Sequence, residues 1–164
     1  MPDNLSSGVI GASLFVPSPA RDLYETVLDV RSFPRWAPGV RGVEVLARAG
    51  ESGMVSVWEV SLFGLKKKIL TVLKEAESSA FLRWTYEGPV CGWGQCAIRD
   101  WSDGALAEFR TELHPREPIL RKLMYMPATK SATSSYLRRC LVRLGRAVSG
   151  DDARIRVGPP LGLG

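Results

Sequence analysis

The stretch RSFPRWAPGV, residues 31–40, divides the sequence into two parts with different periodicities. Before it, residues 18–30 carry apolar side chains at helical spacing, with Ser18 placed to cap the helix. After it, the pattern alternates every second residue, which is typical of β-strands. The stretch itself contains Phe33 and Trp36, although a connection of this kind is usually polar. We therefore expect it to close over an apolar space.

Six consecutive segments after this stretch have the two-residue period of strands. They are GVEVLAR, MVSVWEVSLF, KKKILTVLKEA, FLRWTYEG, GQCAIRDW and ALAEFRTELH. An apolar segment at residues 8–16 predicts one more strand ahead of the first helix. Short turns, including one at residues 49–53, separate the six segments. Connections this short favour antiparallel pairing, because parallel pairs need a long crossover.

The helical period returns after Glu117. Pro127 is expected to interrupt it, leaving a short turn near residues 118–126 before a long helix with one apolar stripe. Residues 150–164 are rich in Gly and Pro and are expected to lack regular structure. We predict one α+β domain over residues 1–149. A curved seven-stranded antiparallel sheet, with two short helices between strands 1 and 2, wraps around the C-terminal helix.

The composition excludes several classes of protein. The 164 residues are 45% hydrophobic and 24% charged, as in a soluble single domain. No apolar run is long enough to span a bilayer, and the N-terminus shows no signal-peptide pattern. Three cysteines and one histidine match no zinc pattern, and no glycine-rich phosphate loop occurs. We expect a cytoplasmic protein with reduced thiols and with neither a metal nor a cofactor.

Three segments, taken with this order of elements, resemble the START-like superfamily, also described as the polyketide cyclase/dehydrase and lipid-transport group. They are FPRWAPGV, EGPVCGWG and GALAEF. The resemblance covers residues 8–148 and implies the helix-grip fold, with an apolar ligand held between the sheet and the terminal helix. The chain looks similar to two branches, the polyketide aromatase/cyclases and the coenzyme-Q-binding proteins. The resemblance also implies that Phe33 and Trp36 lie at the cavity mouth.

Strand alternation predicts which residues line this cavity. The two faces of the third strand are almost equally hydrophobic. The presence of Trp58, together with the resemblance, indicates that the face carrying Trp58 is the inner one. The predicted ligand-binding residues are Phe33, Trp36, Trp58, Ile69, Thr71, Leu73, Trp84, Tyr86, Trp93, Gln95, Phe109, Tyr136 and Cys140. This mixture is typical of a site for an apolar molecule with one or two polar groups. It is equally compatible with a filled aromatic core.

The resemblance also provides a test for catalysis. The aromatase/cyclases use an inward arginine and a serine on the fourth strand, and a tyrosine after the FP turn, to direct enolisation and dehydration. Leu73 aligns with that arginine, Thr71 with the serine and Val40 with the tyrosine. Because two of the three groups are missing, we expect binding of a lipid, isoprenoid quinone or polyketide for transport or presentation. A polyketide cyclase or dehydratase is the alternative, and a protein- or ribosome-associated binding module is the third possibility.

The net charge is +5, and the densest run of charge is Lys66, Lys67 and Lys68. Such a run is typical of a solvated strand edge. Together with Arg121 and Lys122 it also suits peripheral contact with an anionic membrane. No nucleic-acid recognition motif is present, so a nucleic-acid partner is not expected.

Overall fold

The structure is a computed structural model that describes residues 8–48 and 53–162. The strands in these ranges are β1 Val9–Val16, β2 Val40–Ala47, β3 Val55–Leu62, β4 Leu65–Glu77, β5 Phe81–Glu87, β6 Val90–Trp101, β7 Gly104–Pro115 and β8 Arg156–Gly158. The helices are α1 Ala20–Leu28, α2 Phe33–Trp36, α3 Pro118–Met124 and α4 Pro127–Ser149, with a 3₁₀ turn at Val30–Ser32 before α2.

All the strands belong to one curved antiparallel sheet in the order β2-β3-β4-β5-β6-β7-β1-β8. From β2 to β7 each strand pairs with the next one along the chain, as the short connections predicted. Irregular pairing interrupts the β2–β3 and β4–β5 ladders, and such bulges increase the local twist of a sheet. The helix-grip fold and the α+β class are confirmed.

The core lies between the concave face of the sheet and α4. Cys140, Leu141 and Leu144 of α4 are buried, and the helix packs mainly against β1. The predicted interruption at Pro127 is confirmed, since α3 ends shortly before it and α4 begins there. The helix therefore covers the sheet with its C-terminal half, and the space beside its N-terminal half is available for a cavity.

Two expectations about local structure were wrong. Arg156–Gly158 forms β8 beside β1, so the sheet has eight strands and this part of the tail is ordered. β1 is otherwise an edge strand whose backbone groups need partners, and the tail supplies them. Ser18 does not cap α1, because its hydroxyl lies 2.5 Å from the hydroxyl of Ser149. Most of the turn expected at residues 49–53 lies outside the described residues.

None of the helices in the described ranges is long and apolar enough to cross a membrane.

Candidate ligand-binding cavity

A cavity of about 510 Å³ lies between the concave face of the sheet and the N-terminal half of α4. Nine of the predicted site residues line it. The strands contribute Trp58, Ile69, Trp84, Tyr86 and Phe109, and the helices contribute Phe33, Trp36, Tyr136 and Cys140. The volume is in the range typical of small-molecule sites, and almost all of the lining is apolar.

Phe33 and Trp36 form an inner wall of this cavity. Their ring centroids are 4.2 Å apart, and Phe33 also lies 4.5 Å from Trp58 and meets Trp84 edge-on at 6.4 Å. Only 5% of Phe33 and 4% of Trp36 is exposed. The segment that interrupts the sequence pattern thus closes over an apolar space, but its rings are interior and do not form an exposed rim.

Thr71 and Leu73 lie on the predicted inner face of β4 but deeper, at a separate cavity of about 20 Å³ behind Phe33. The Thr71 hydroxyl is buried and has no hydrogen-bond partner among the described residues. Beside it, the Ser56 hydroxyl accepts a hydrogen bond from Trp58 Nε1 at 2.9 Å. These two predicted site residues therefore do not contact the large cavity.

The expectation that Trp93 and Gln95 face the cavity was wrong. Trp93 lies on the outer face of the sheet, where its Nε1 donates to Glu112 at 3.0 Å, and Gln95 shares that face. The inner position between them is Gly94, which is paired directly with Trp84. A Cβ at Gly94 would lie 2.5 Å from the indole nitrogen of Trp84, so only glycine fits there.

The Tyr86 hydroxyl is the main polar group on the sheet side of the cavity. It accepts a hydrogen bond from Trp84 Nε1 at 2.5 Å and is also hydrogen-bonded to Thr111. Thr111 in turn donates to the backbone carbonyl of Trp93 at 3.0 Å. Burial raises the pKa of Tyr86, so the phenol stays neutral near pH 7. A phenol oxygen accepts two hydrogen bonds and donates one, so it retains capacity for a polar group of a ligand.

Tyr136 connects α4 to the loop between α2 and β2. Its hydroxyl accepts a hydrogen bond from the backbone N–H of Gly39 at 3.0 Å and is hydrogen-bonded to Cys140. A Cβ at Gly39 would lie 2.9 Å from that hydroxyl, which explains the glycine. Burial raises the pKa of both Tyr136 and Cys140. Both groups are therefore neutral proton donors and not general bases near pH 7.

No Asp, Glu, His or Lys is among the residues found to line either cavity. Lys67, on the inner face of β4, is paired with Glu117 at 2.6 Å and is not among the lining residues. The single histidine, His114, is half-exposed and lies 3.0 Å from Glu112 on the outer face. In the described ranges no three Cys, His, Asp or Glu side chains are grouped so that they could hold a metal ion. The polar groups available in the cavity are thus hydroxyl, thiol and indole groups, together with the guanidinium groups of Arg110 and Arg139.

The outer rim of the cavity was not predicted. It is formed by the β3–β4 turn, with Leu62 and Phe63, and by the α3–α4 junction, with Met124 and Thr129. Strand alternation gives no information about turns, so these residues were missed. A usable indication was present in the sequence, since an aromatic residue directly before Gly64 is unusual in a two-residue turn.

Residues 16–124 match the sequence model of the family described as polyketide cyclase / dehydrase and lipid transport. The chain belongs to this family. No curated protein matches its sequence. Neither the family match nor the structures named below singles out the coenzyme-Q-binding branch.

Several solved structures share the fold of this polyketide cyclase/dehydrase family member. A START superfamily protein from Mycobacterium smegmatis is 16% identical with a TM-score of 0.72, covering 85% of this chain and 96% of its own. A protein from Thermus thermophilus is 20% identical with a TM-score of 0.69, covering 86% and 99%. The Zhui aromatase/cyclase from Streptomyces sp. R1128 is 14% identical with a TM-score of 0.69, covering 89% and 98%. At these identities the likeness establishes the fold alone.

Proposed function

We propose that the protein binds one mostly apolar small molecule in the 510 Å³ cavity, for transport or presentation. The observation that carries this proposal is the largely apolar lining, interrupted on the sheet side chiefly by the hydroxyls of Tyr86 and Thr111 and by Arg110. Burial of an apolar ligand is favourable by roughly 25 cal/mol per Å² of apolar area removed from water. Lipids, isoprenoid quinones and polyketides are ligand classes with this combination of apolar surface and few polar groups.

The size of the cavity argues against a purely structural role for its aromatic residues. Native cores are close-packed and contain few voids larger than a water molecule. A void of about 510 Å³ is far beyond that limit. Support for a binding module with a filled core is correspondingly weak.

A polyketide cyclase or dehydratase acting in the same cavity is the second candidate. The family description and the shared fold of the Zhui aromatase/cyclase favour it. The neutral phenols of Tyr86 and Tyr136 supply proton donors for such chemistry. Binding without turnover is favoured over it, because no base lines the cavity and Leu73 occupies the position that the family resemblance assigns to an arginine.

The first experiment is native mass spectrometry of the protein purified from its source, followed by organic extraction of any bound molecule. A discrete apolar adduct is expected, and its mass would distinguish a lipid, a quinone and a polyketide. A clean apo mass, together with no thermal shift from fatty acids, quinones or aromatic polyketides, would contradict the proposal. Product formation from a linear polyketide would favour the cyclase.

Once a ligand is identified, the Tyr86 hydroxyl can be tested directly. Tyr86→Phe removes one hydrogen bond and is expected to weaken binding about three- to tenfold, the usual net value of such a bond. The affinity can be measured by quenching of the cavity tryptophans, since Trp58 and Trp84 line the site. Trp93→Phe is the matched control, because its ring lies on the outer face. Equal affinities for Tyr86→Phe and Trp93→Phe would remove Tyr86 from the recognition of the ligand.

A further inference from the structure

We propose that the open end of the cavity docks on an anionic membrane surface. The proposed contact, called the rim surface here, consists of Phe63, Ile119, Arg121, Lys122, Tyr125 and Met126. It goes beyond ligand binding because none of its residues except Phe63 lines the cavity. Three features of the rim surface lead to this assignment: its exposed apolar area, the backbone conformation of Phe63 and the distribution of charge.

The first feature is exposed apolar area. Phe63 is 49% exposed, Ile119 55%, Tyr125 68% and Met126 49%. These are four of the seven large hydrophobic side chains found exposed in the described ranges. Phe63 lines the cavity, and so does Met124, the residue before Tyr125, so exposed apolar side chains lie beside the cavity on both the β3–β4 turn and the end of α3. Clustered exposed apolar residues mark surfaces that contact a partner or a membrane.

The ion pair between Lys67 and Glu117 holds the two halves of the rim surface together. Its atoms are 2.6 Å apart, and it joins the β3–β4 hairpin to the residue directly before α3. Lys67 is thereby engaged within the protein. It is therefore removed from the set of lysines that the sequence suggested for membrane contact, whereas Lys66 and Lys68 are exposed on the hairpin.

The second feature is the backbone of Phe63. Phe63 and Gly64 form a two-residue turn with φ angles of 52° and 78°. Such turns favour Asn-Gly, and a bulky side chain in the left-handed region is strained. Strained residues that persist are often functional. An aromatic ring held at an exposed tip at this conformational cost fits insertion into the interfacial region of a bilayer.

The third feature is the distribution of charge. Residues 116–149 contain eight Lys and Arg but a single acidic residue, Glu117. That excess is larger than the net charge of +5 of the whole chain, so the rest of the protein is slightly acidic. Arg121 and Lys122 are both exposed on α3, beside the apolar residues of the rim. Anionic lipid headgroups attract such clusters, and apolar side chains beside them strengthen the contact.

A membrane fits these features better than an acidic protein does, because the apolar cavity opens within the rim surface. A bilayer pressed against this opening would let an apolar ligand pass between lipid and cavity with little exposure to water. An acidic protein partner would complement the charges but would leave the purpose of the opening at the contact unexplained.

The test is co-sedimentation of the full-length, ligand-free protein with phosphatidylcholine vesicles, with and without about 30% phosphatidylglycerol as the anionic lipid. Binding only to the anionic vesicles, lost at high salt, is the expected result. Arg121→Gln combined with Lys122→Gln should lower the partition coefficient roughly thirtyfold, since each basic residue near an anionic surface contributes about a fivefold factor. Phe63→Asn should also weaken partitioning without lowering the melting temperature, because Asn-Gly suits the turn.

Matched controls are available at the opposite end of the sheet. Trp101, the last residue of β6, is 47% exposed with the Arg99 guanidinium over its ring, and Arg21 is exposed at the start of α1, next to Ala20, whose N–H contacts Asp100. Trp101→Asn and the double variant Arg21→Gln/Arg99→Gln should bind anionic vesicles as the wild type does. Equal binding to neutral and anionic vesicles, no binding to either, or equal losses in the rim and control variants would each overturn the proposal.

Discussion

At the scale of single residues, the Tyr136 hydroxyl connects two elements that enclose the cavity. It accepts a hydrogen bond from the N–H of Gly39 and is hydrogen-bonded to Cys140. The ordinary pKa values of the phenol and the thiol are 10.0 and 9.0, and burial raises the pKa of each above that value. Folding therefore keeps protons on groups that would lose them in the unfolded chain at alkaline pH, which links stability to pH.

The free energy of unfolding is expected to fall as the pH rises above about 9 to 10. Below that range both states hold the protons, so the stabilising contribution is fully present. Above it the unfolded chain releases protons that the folded chain retains, until the folded groups also ionise. Urea unfolding at a series of alkaline pH values measures the slope. Tyr136→Phe should reduce the slope, while Tyr86 and Cys96, whose pKa values are also raised by burial, keep part of it.

Tyr125→Phe is the control for this experiment, because Tyr125 is 68% exposed and far less of its surface changes environment on folding. Its slope should equal that of the wild type. An unchanged slope in Tyr136→Phe would show that the Tyr136 phenol does not contribute to the alkaline loss of stability.

The sequence predicted the inward residues of three strands, by alternation on β5 and β7 and with the help of the family resemblance on β3. Trp58 on β3, Tyr86 on β5 and Phe109 on β7 all lie on the predicted face. It failed on β6, where Trp93 and Gln95 were expected to face the cavity but lie on the outer face. The indole of Trp84 fills the space opposite β6, so Gly94 faces inward and its large neighbours face outward. The requirement for glycine at position 94 is set by a side chain of the neighbouring strand, so the sequence of β6 alone does not reveal it.

At the scale of elements, the tail after α4 is fixed to the outer face of the sheet by Glu108. This β7 carboxylate is only 1% exposed and is paired with Arg110 at 2.5 Å. It also accepts hydrogen bonds from the backbone N–H groups of Leu161 and Gly162. A single buried acid thus neutralises a cation and satisfies two donors of the tail, which holds β8 in place beside β1.

Glu108→Gln is expected to lower the free energy of unfolding by about 1–3 kcal/mol, because a buried neutral amide pairs less well than the carboxylate with the Arg110 guanidinium and with the two backbone N–H groups of the tail. Urea denaturation measures this loss, and hydrogen exchange should show faster exchange at Leu161 and Gly162. Glu112→Gln is the control on the same strand, since Glu112 is 23% exposed and water can replace its contacts. Equal losses in the two variants would contradict a special role for Glu108.

The helices and the long strands were predictable because their patterns repeat over many residues, as on α4 with Leu137, Leu141 and Leu144. β8 was not, because three residues are too few for a period to be recognised. Its position depends on Glu108, about 50 residues earlier in the chain, and on the free edge of β1. Contacts of this kind are set by tertiary packing and leave no local pattern.

At the scale of the whole molecule, α4 divides its length between two tasks. Its C-terminal half buries Leu141 and Leu144 against the sheet and provides the apolar contacts that stabilise the fold. Its N-terminal half lines the cavity with Thr129 and Thr133, whose hydroxyls bond to backbone carbonyls and not to the sheet. The N-terminal half of α4 therefore lacks direct packing against the concave face of the sheet. A bound ligand would fill this space and contact both.

This division predicts that the cavity can be filled without damage to the fold. Thr133→Phe places a ring in the cavity, and the Thr133 hydroxyl that it removes bonds only to Thr129 of the same helix, at 2.7 Å. The melting temperature should stay the same or rise, as cavity-filling changes commonly stabilise a protein by about 0.5–2 kcal/mol. The native adduct should disappear from the mass spectrum because the ring occupies its space. Ser134→Phe, one residue further on the exposed side of α4, should retain the adduct.

An adduct that survives Thr133→Phe would place the ligand outside this cavity. A large loss of stability in Thr133→Phe, but not in Ser134→Phe, would contradict the prediction that the cavity has room for a phenyl ring.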